Sequence, residues 1–304
     1  MKKIGILGGS GFVGGYIITE LLESGYHVKM INRREGLNYY NDKVEEVVTN
    51  LESDLLYKDF TDCDCVIYNI GIIREFPKSG ISFKNLHENL AIHVMNMCEK
   101  AGVRKFILMT ANGVERCLTS YEKTKFKAEQ YLMNTKLDWT IFRPSLIFGD
   151  PKGKMEFCTQ VKNDMVDTLL PLPLFFNGIN IFNAGKFKMS PIHVKNVAQF
   201  FVLSIEKKES NQKIYNLGGS KSYSWGYIIK IISTACGKNK WSIPVPIIII
   251  KILAFLFDQF SWFPVTREQL TMLNAGNTCD STQYFIKYDI KEISFNINNL
   301  DYLL

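Results

Sequence analysis

The chain lacks the patterns that mark several large classes of protein, and each absence narrows what it can do. Its seven cysteines are scattered without a Cys-x-x-Cys pair, which predicts reduced thiols in a cytosolic setting rather than a disulfide framework or a zinc site. Cys63 and Cys65 alternate at the start of a strand-like run and read as packing residues. The four histidines, His27, His87, His93 and His193, have no ligand spacing, so no metal is expected. The formal charge of +6 is spread along the chain. That argues against a nucleic-acid groove, which concentrates its charge on one face, and leaves mild attraction to an acidic membrane surface. There is no internal repeat and no low-complexity linker. Met1-Lys2-Lys3 runs into a strand with no apolar leader and cleavage site, which predicts a cytoplasmic location. An uninterrupted apolar run of about 20 residues, the minimum for a spanning helix, is also missing. The closest approach, residues 243–263, is broken by Lys251 and Asp258.

What is present begins at the N-terminus. The apolar run Ile4 to Leu7 leads into Gly8-Gly9-Ser10-Gly11-Phe12-Val13-Gly14, and a helix-like segment from Tyr16 to Leu22 leads out. Glycines three apart let a backbone turn sharply off a strand, approach a pyrophosphate without Cβ obstruction and pack the next helix close to the sheet. The free N–H groups at that helix start favour a diphosphate. A second strand, Tyr26 to Ile31, ends in Asn32-Arg33-Arg34. A site for NAD usually carries Asp or Glu about here for the ribose 2′-hydroxyl, and none is present. Arg pairs well with a 2′-phosphate, so NADP(H) is preferred over NAD(H); a solvated loop is the alternative reading of the two arginines.

At 304 residues, 46% apolar and 22% charged, the composition is that of a globular protein of one large domain or two lobes. Strand and helix patterns alternate: strands at Val44–Thr49, Cys65–Ile70, Val103–Thr110 and Leu137–Phe142, and helices at Phe83–Ala101 and Tyr121–Asn134. This predicts an α/β fold of the Rossmann type, a doubly wound parallel sheet covered by helices on both faces. Past Gly149 the pattern loosens into Pro- and Phe-rich loops. The expected organisation is a dinucleotide-binding domain over 1–150 and a smaller C-terminal substrate lobe over 151–304, partly interleaved with the sheet. The apolar periodicity of Phe83–Ala101 fits a helix on the sheet and a dimer seam equally, so the oligomer is left open.

Tyr121 and Lys125 stand four apart, on one face of a helix. A neighbouring ammonium stabilises a phenolate, so the pair forms an acid/base group whose tyrosine pKa is expected below its ordinary value of about 10. Tyr39 and Lys43 repeat the spacing in a loop; Tyr121 stands apart because it opens the helix after the fifth strand. A surface helix pair is the bland alternative.

The glycine turn, Tyr121-x-x-x-Lys125, Arg143-Pro144-Ser145 with Phe148-Gly149, and Tyr215-Asn216-Leu217-Gly218-Gly219 resemble the extended and atypical short-chain dehydrogenases/reductases. Asn69-Ile70-Gly71, Phe83 to His87, Ala101-Gly102-Val103, Met189 to Val197 and Thr266-Arg267-Glu268-Gln269 resemble the epimerase-like branch around the NADPH-binding accessory subunit of respiratory complex I and its bacterial relatives. The resemblance implies Gly8, Gly11 and Gly14 at the pyrophosphate, with Ser10, Phe12 and Val13 in the same turn. It implies Asn32, Arg33 or Arg34 at the 2′-phosphate, Asp54 near the adenine, Asn69, Gly71 and Pro144 around the cofactor, and Lys125 on the nicotinamide ribose. Ser53 stands where the family usually has Gly before Asp54.

Extended members end the fifth strand in a Ser or Thr that shares the substrate oxygen with the tyrosine. Here Ala111 aligns with it. Thr110 is one residue early and, by strand alternation, aims away; Asn112 is a candidate substitute. Asn196 replaces a frequent Asp, and His193 reads as structural. The resemblance thus implies two functions. One is an NADP(H)-dependent oxidoreductase, or a sugar-nucleotide epimerase or dehydratase, acting on a small and nucleotide-linked substrate with Tyr121 as acid/base. The other is a non-catalytic NADP(H)-binding accessory or assembly protein of a membrane respiratory complex. Segment 243–263 has two matching readings: a helix packed in the second lobe, or a peripheral contact at the inner face of a membrane or on a membrane complex.

Overall fold

The structure, a computed structural model, describes residues 2–35, 40, 43–76, 79–258, 263 and 265–304. Tyr39 and residues 259–262 of the apolar segment lie outside the described residues. The chain forms two compact units, Met1–Pro144 with Val194–Asn216, and Ser145–His193 with Leu217–Leu304.

The first unit is built on a seven-stranded sheet. Its strands are β1 (Lys3–Leu7), β2 (His27–Asn32), β3 (Val44–Val48), β4 (Cys65–Tyr68), β5 (Lys105–Met109), β6 (Asp138–Pro144) and β7 (Lys213–Leu217), in the spatial order β7-β6-β5-β4-β1-β2-β3. Strands β1 to β6 pair in parallel; Ile4 lies between Val28 and Cys65, and Ile107 between Ile67 and Thr140. Residues such as Ile4, Ile6, Val66, Ile67, Phe106 and Ile107 are fully buried, as a sheet covered on both faces requires. The order 3-2-1-4-5-6 reverses between β1 and β4, the topological switch point where such sheets leave a crevice for ligands.

Helix α1 (Phe12–Glu23) follows β1, α2 (Leu90–Ala101) follows β4, and α3 (Ser120–Met133) follows β5. The predicted helix Phe83–Ala101 begins differently from expectation. Residues Lys84–Asn89 form a wide turn in which Leu90 N–H reaches Asn85 O, five residues back, before the regular helix starts. Gly102 closes α2 in the left-handed conformation at φ 76°. Helix α4 (Val194–Glu206) and β7 return to this unit from late in the chain. Cys63 and Cys65 are buried without a disulfide, and burial pushes both thiols up to about 12.

In the second unit, Ile147–Phe148 pairs with Ile192–His193, Lys188–Met189 with Tyr223–Ser224, and Leu172–Phe176 with Ser242–Pro246. Helix α5 (Trp225–Ala235) buries Trp225, Ile228 and Ile232 against Phe148, Phe175 and Phe295. Trp225 stacks on Phe175 and Phe187 and donates its indole N–H to Pro173 O at 2.8 Å. The segment read as either core or docking surface contains helix α6 (Ile247–Phe257), of which Ile247 and Ala254 are buried. Its core reading therefore fails for most of its apolar side chains. Among the described residues, no helix is long and apolar enough to cross a membrane.

Candidate functional site

The glycine turn lies at the switch point. Gly8 has φ +85°, and a Cβ there would sit 2.7 Å from Asn69 C and O and 2.9 Å from Ile70 N. A Cβ on Gly14 would meet Gly8 O at 2.1 Å. Neither position admits a side chain: at Gly8 the turn is pressed against the chain leaving β4, and at Gly14 the start of α1 is pressed against the turn itself. Gly11 N–H donates to Gly8 O at 3.2 Å, and Gly11 precedes α1 in extended conformation without a side-chain cap. The first-turn N–H groups of α1, over Phe12 to Gly14, have no intrahelical acceptors and no acidic side chain in their turn. Ser10 is half-buried beside them. A side-chain-free turn ending in open N–H groups fits a dinucleotide diphosphate.

At the end of β2, Asn32 is buried and donates its amide to Glu46 Oε1 on β3 at 2.8 Å, while Arg33 and Arg34 are exposed. The sequence reading found no acid along β2 and missed Glu46, which the sheet register brings beside Asn32 from the neighbouring strand. Asp54 is exposed, and its carbonyl lies 3.4 Å from Lys100 Nζ.

Across the switch point, Asn69 donates to Gly8 O at 3.5 Å, and its Oδ1 is buried without a partner among the described residues. Gly71 is exposed; a Cβ on it would lie 3.5 Å from Lys125 Nζ and 3.8 Å from His87 Nε2. Thr119 starts α3 with a capping box: its hydroxyl accepts Glu122 N–H at 3.2 Å, and Glu122 Oε2 accepts Thr119 N–H at 3.0 Å and Leu118 N–H at 2.7 Å. This fixes Tyr121 in the first turn and Lys125 one turn on. Lys125 Nζ is 5.3 Å from the Tyr121 ring centre and 3.4 and 3.5 Å from the Met109 and Thr110 carbonyls. The structure thus brings Gly71, Tyr121 and Lys125 together beside the carboxyl end of β5.

The expected electrostatics need correction. Loss of solvation, and then the neighbouring Glu122 charge, raise the Tyr121 phenol above its ordinary value. Burial brings the Lys125 ammonium down to about 8, opposed by the Glu129 charge. In this state Tyr121 is a held proton rather than an activated phenolate.

His87 is a residue the sequence reading did not assign. It is 2% exposed, stacks on Phe83 at 5.3 Å and meets the Tyr121 ring edge-on at 5.2 Å. Its Nε2 accepts Ile72 N–H at 3.0 Å, which leaves the ring proton on Nδ1, and that atom is buried without a partner among the described residues. Burial, and then the Lys125 charge, drive its pKa down to about 2, so it is neutral. The apolar periodicity of Phe83–Ala101 gives His87 no role.

Thr110 aims away from this group, as strand alternation predicts. Its hydroxyl donates to Glu129 Oε1 at 2.5 Å, and Glu129, fully buried, also takes the Arg143 guanidinium at 2.9 Å from Nε and 2.5 Å from Nη2. Arg143 reaches Glu115 as well, at 3.0 Å. Burial works against the Arg143 charge, but its Glu129 bonds and the carboxylate charges outweigh this and its pKa is raised. Pro144 ends β6, and its carbonyl accepts Asn112 N–H at 2.9 Å. In the second unit, His193 is buried edge-on against Phe148 at 5.1 Å, a packing contact. Asn196, on α4 in the first unit, is fully buried and bonds Gln199 at 3.0 Å. A cavity of about 320 Å³ lined by Lys2, Asp64, Lys105 and Asp138 opens at the amino-terminal ends of β1, β4, β5 and β6, away from all these groups.

A family model described as NAD(P)H-binding matches residues 8–168, more than half the chain and including the whole switch-point cluster. The chain belongs to this NAD(P)H-binding family. It is 25% identical over 300 residues to the decarboxylating sterol-4-alpha-carboxylate 3-dehydrogenase of Dictyostelium discoideum, covering 86% of each chain. It is 21% identical to the mitochondrial NADH dehydrogenase [ubiquinone] 1 alpha subcomplex subunit 9 of the same organism, over 90% of this chain and 76% of that one. The crystal structure of the UDP-glucose 4-epimerase of Thermus thermophilus with NAD superposes at a TM-score of 0.73 and 15% identity, covering 99% of this chain and 97% of that one. The protein is thus an NAD(P)-binding Rossmann protein with dehydrogenase and epimerase relatives at low identity.

Proposed function

We propose that this protein is an NADP(H)-dependent oxidoreductase or epimerase-like enzyme acting on a small, nucleotide-linked substrate. The observation that carries the reading is the joint arrangement of a turn that tolerates no Cβ at Gly8 or Gly14 with Lys125 and Tyr121 beside Gly71. Gly8, Ser10, Gly11, Phe12, Val13 and Gly14 would hold the diphosphate through backbone N–H groups. Arg33 and Arg34, exposed directly after β2, would pair with the 2′-phosphate, with Asn32 tying back the Glu46 carboxylate that would otherwise repel it. Asp54 would flank the adenine, and Asn69, Gly71 and Pro144 the rest of the cofactor. When bound, the cofactor supplies hydride chemistry at the nicotinamide ring.

The chain's own residues supply alignment and proton handling. Lys125 would bond the nicotinamide ribose, and its charge would rise again next to a bound phosphate. Tyr121 is protonated and would donate to an oxygen that gains charge on reduction; in the reverse direction it needs the Lys125 charge to act as base. His87 packs the tyrosine ring and holds the Ile72 backbone. The substrate class is supported by the fold neighbour named for UDP-glucose. Tyr121→Phe should lower turnover at least 100-fold while NADPH binding is retained; unchanged turnover removes the tyrosine from the mechanism.

A second reading has its own support. Ala111 lacks the hydroxyl that extended members use, and the Thr110 hydroxyl is committed to Glu129. With a complex I subunit among the relatives, this favours NADP(H) as a structural ligand of an accessory or assembly protein of a membrane complex. Cofactor exchange separates a cosubstrate from a retained ligand: release within seconds supports an oxidoreductase, and retention for hours supports a structural ligand or an epimerase that returns its hydride.

A further inference from the structure

Helix α6 in the second unit has an apolar composition without an apolar environment. Ile248, Ile249, Ile252, Leu253, Phe255 and Leu256 are 38–66% exposed. At about 100° per residue these six positions cover an arc of roughly 160°, and the sequence puts no polar residue within it. An ordinary surface helix shows the reverse pattern, with its polar face outward. The single cation of the helix, Lys251, falls at the border of the arc. Arg267 lies over the Phe255 ring at 5.1 Å, at the same border as Lys251, and pairs with Asp258 at 2.9 Å.

The apolar surface continues along the strand pair that leads into α6. Leu172 N–H donates to Trp241 O at 2.9 Å, and Leu169, Leu170 and Trp241, 102%, 71% and 68% exposed, stand just before the two paired strands. At the other end Phe176 pairs with Pro246, directly before α6, and is followed by exposed Ile179, Ile181 and Phe182. Lys240, next to Trp241, holds this edge by bonding the Met165 and Thr168 carbonyls. From Lys238 to Asp258 the segment carries three lysines against one aspartate.

We propose that α6 and these flanking loops bind the interface of an anionic lipid bilayer. The inference goes beyond the catalytic and accessory readings and stands without either. An arc this wide with no polar atoms offers a protein partner none of the hydrogen bonds that fix register in an interface. Acyl chains need no such bonds and conform to any apolar shape. The cations at the border match anionic headgroups, Trp241 suits the headgroup level, and a helix of 11 residues, about 16 Å long, lies in the interface rather than crossing it.

The test is co-sedimentation of the full chain with vesicles of phosphatidylcholine alone and with 30% phosphatidylglycerol. Wild type should bind the anionic vesicles at least 10-fold more strongly than the neutral ones. Ile252→Glu with Leu256→Glu, both on exposed positions, should lower that binding at least 10-fold while NADPH affinity, read in parallel on the first unit's site, stays within 2-fold. Lys251→Gln with Arg267→Gln should remove most of the preference for anionic lipid. Absence of wild-type binding to either vesicle overturns the proposal, as does equal binding by the double glutamate variant. So does a wild-type dimer in light scattering that the glutamates dissociate, which would make a second copy the occupant.

Discussion

Replacing Lys125 with Met should change how stability depends on pH, and the direction follows from the burial of the ammonium. Lys125 is 4% exposed, faces the Met109 and Thr110 carbonyls at 3.4 and 3.5 Å, and has no carboxylate in hydrogen-bond contact among the described residues. Its pKa falls from 10.5 to about 8 on folding. Above 10.5 the side chain is neutral in both states and contributes nothing. Between the two values the unfolded chain binds a proton that the folded one does not, so stability rises with pH across that window. Below 8 the full penalty applies, about 3 kcal/mol at 1.36 kcal/mol for each pH unit. From pH 7 to 9.5 the wild type should therefore gain about 2 kcal/mol that the methionine variant does not, or roughly 0.7 M in urea midpoint at about 3 kcal/mol/M. The thiols of Cys63, Cys65 and Cys279, raised to about 12 by burial, shift stability the other way at alkaline pH, but equally in both proteins. The assay is urea unfolding of cofactor-free wild type and variant at pH 7 and 9.5. Parallel pH dependences would show that Lys125 is solvated or paired, and would refute the geometry.

Gly14→Ala sets a Cβ 2.1 Å from Gly8 O, a backbone atom that cannot move aside without opening the turn; titration should show at least a 100-fold loss of NADPH affinity, and wild-type affinity would remove the turn from the site. Glu129→Ala leaves Arg143 buried without its main partner and should cost about 3–5 kcal/mol in urea unfolding, with Arg143→Met added to it recovering a large part; a loss under 1 kcal/mol would mean that water reaches the guanidinium. Arg33→Ser with Arg34→Ser should lower NADPH affinity at least 10-fold and leave NADH affinity within 2-fold, since charge-assisted bonds to the 2′-phosphate are worth about 1.5–3 kcal/mol each; equal losses for both cofactors would make the arginines a general anion attraction.

The parts of this molecule legible in the sequence are those whose physics is local. The turn after β1 announces itself because close backbone approach requires Gly8 and Gly14, and the alternation of strands and helices follows from periodicity. The Thr119-x-x-Glu122 capping box, which orients Tyr121, is equally local, although the sequence reading missed it. The misjudged parts depend on neighbours distant in sequence. Glu46 reaches Asn32 diagonally across the β2–β3 pair. The wide turn over Lys84–Asn89 carries His87 to the Tyr121 ring, which no 3.6-residue periodicity encodes. The pKa direction of Tyr121 was inverted for the same reason: its proximity to Lys125 was visible, whereas burial of both was not. Helix α6 shows the converse limit, because apolar composition tells where a segment resists water but not whether the fold covers it.

The central claim is that the switch-point cluster binds a dinucleotide and prefers the one with a 2′-phosphate. Calorimetric titration of the nucleotide-free protein with NADPH and with NADH tests it most directly. The account predicts binding of one molecule per chain, tighter for NADPH by at least 10-fold. Tighter NADH would contradict the assignment of Arg33 and Arg34, and no binding of either would contradict the site itself.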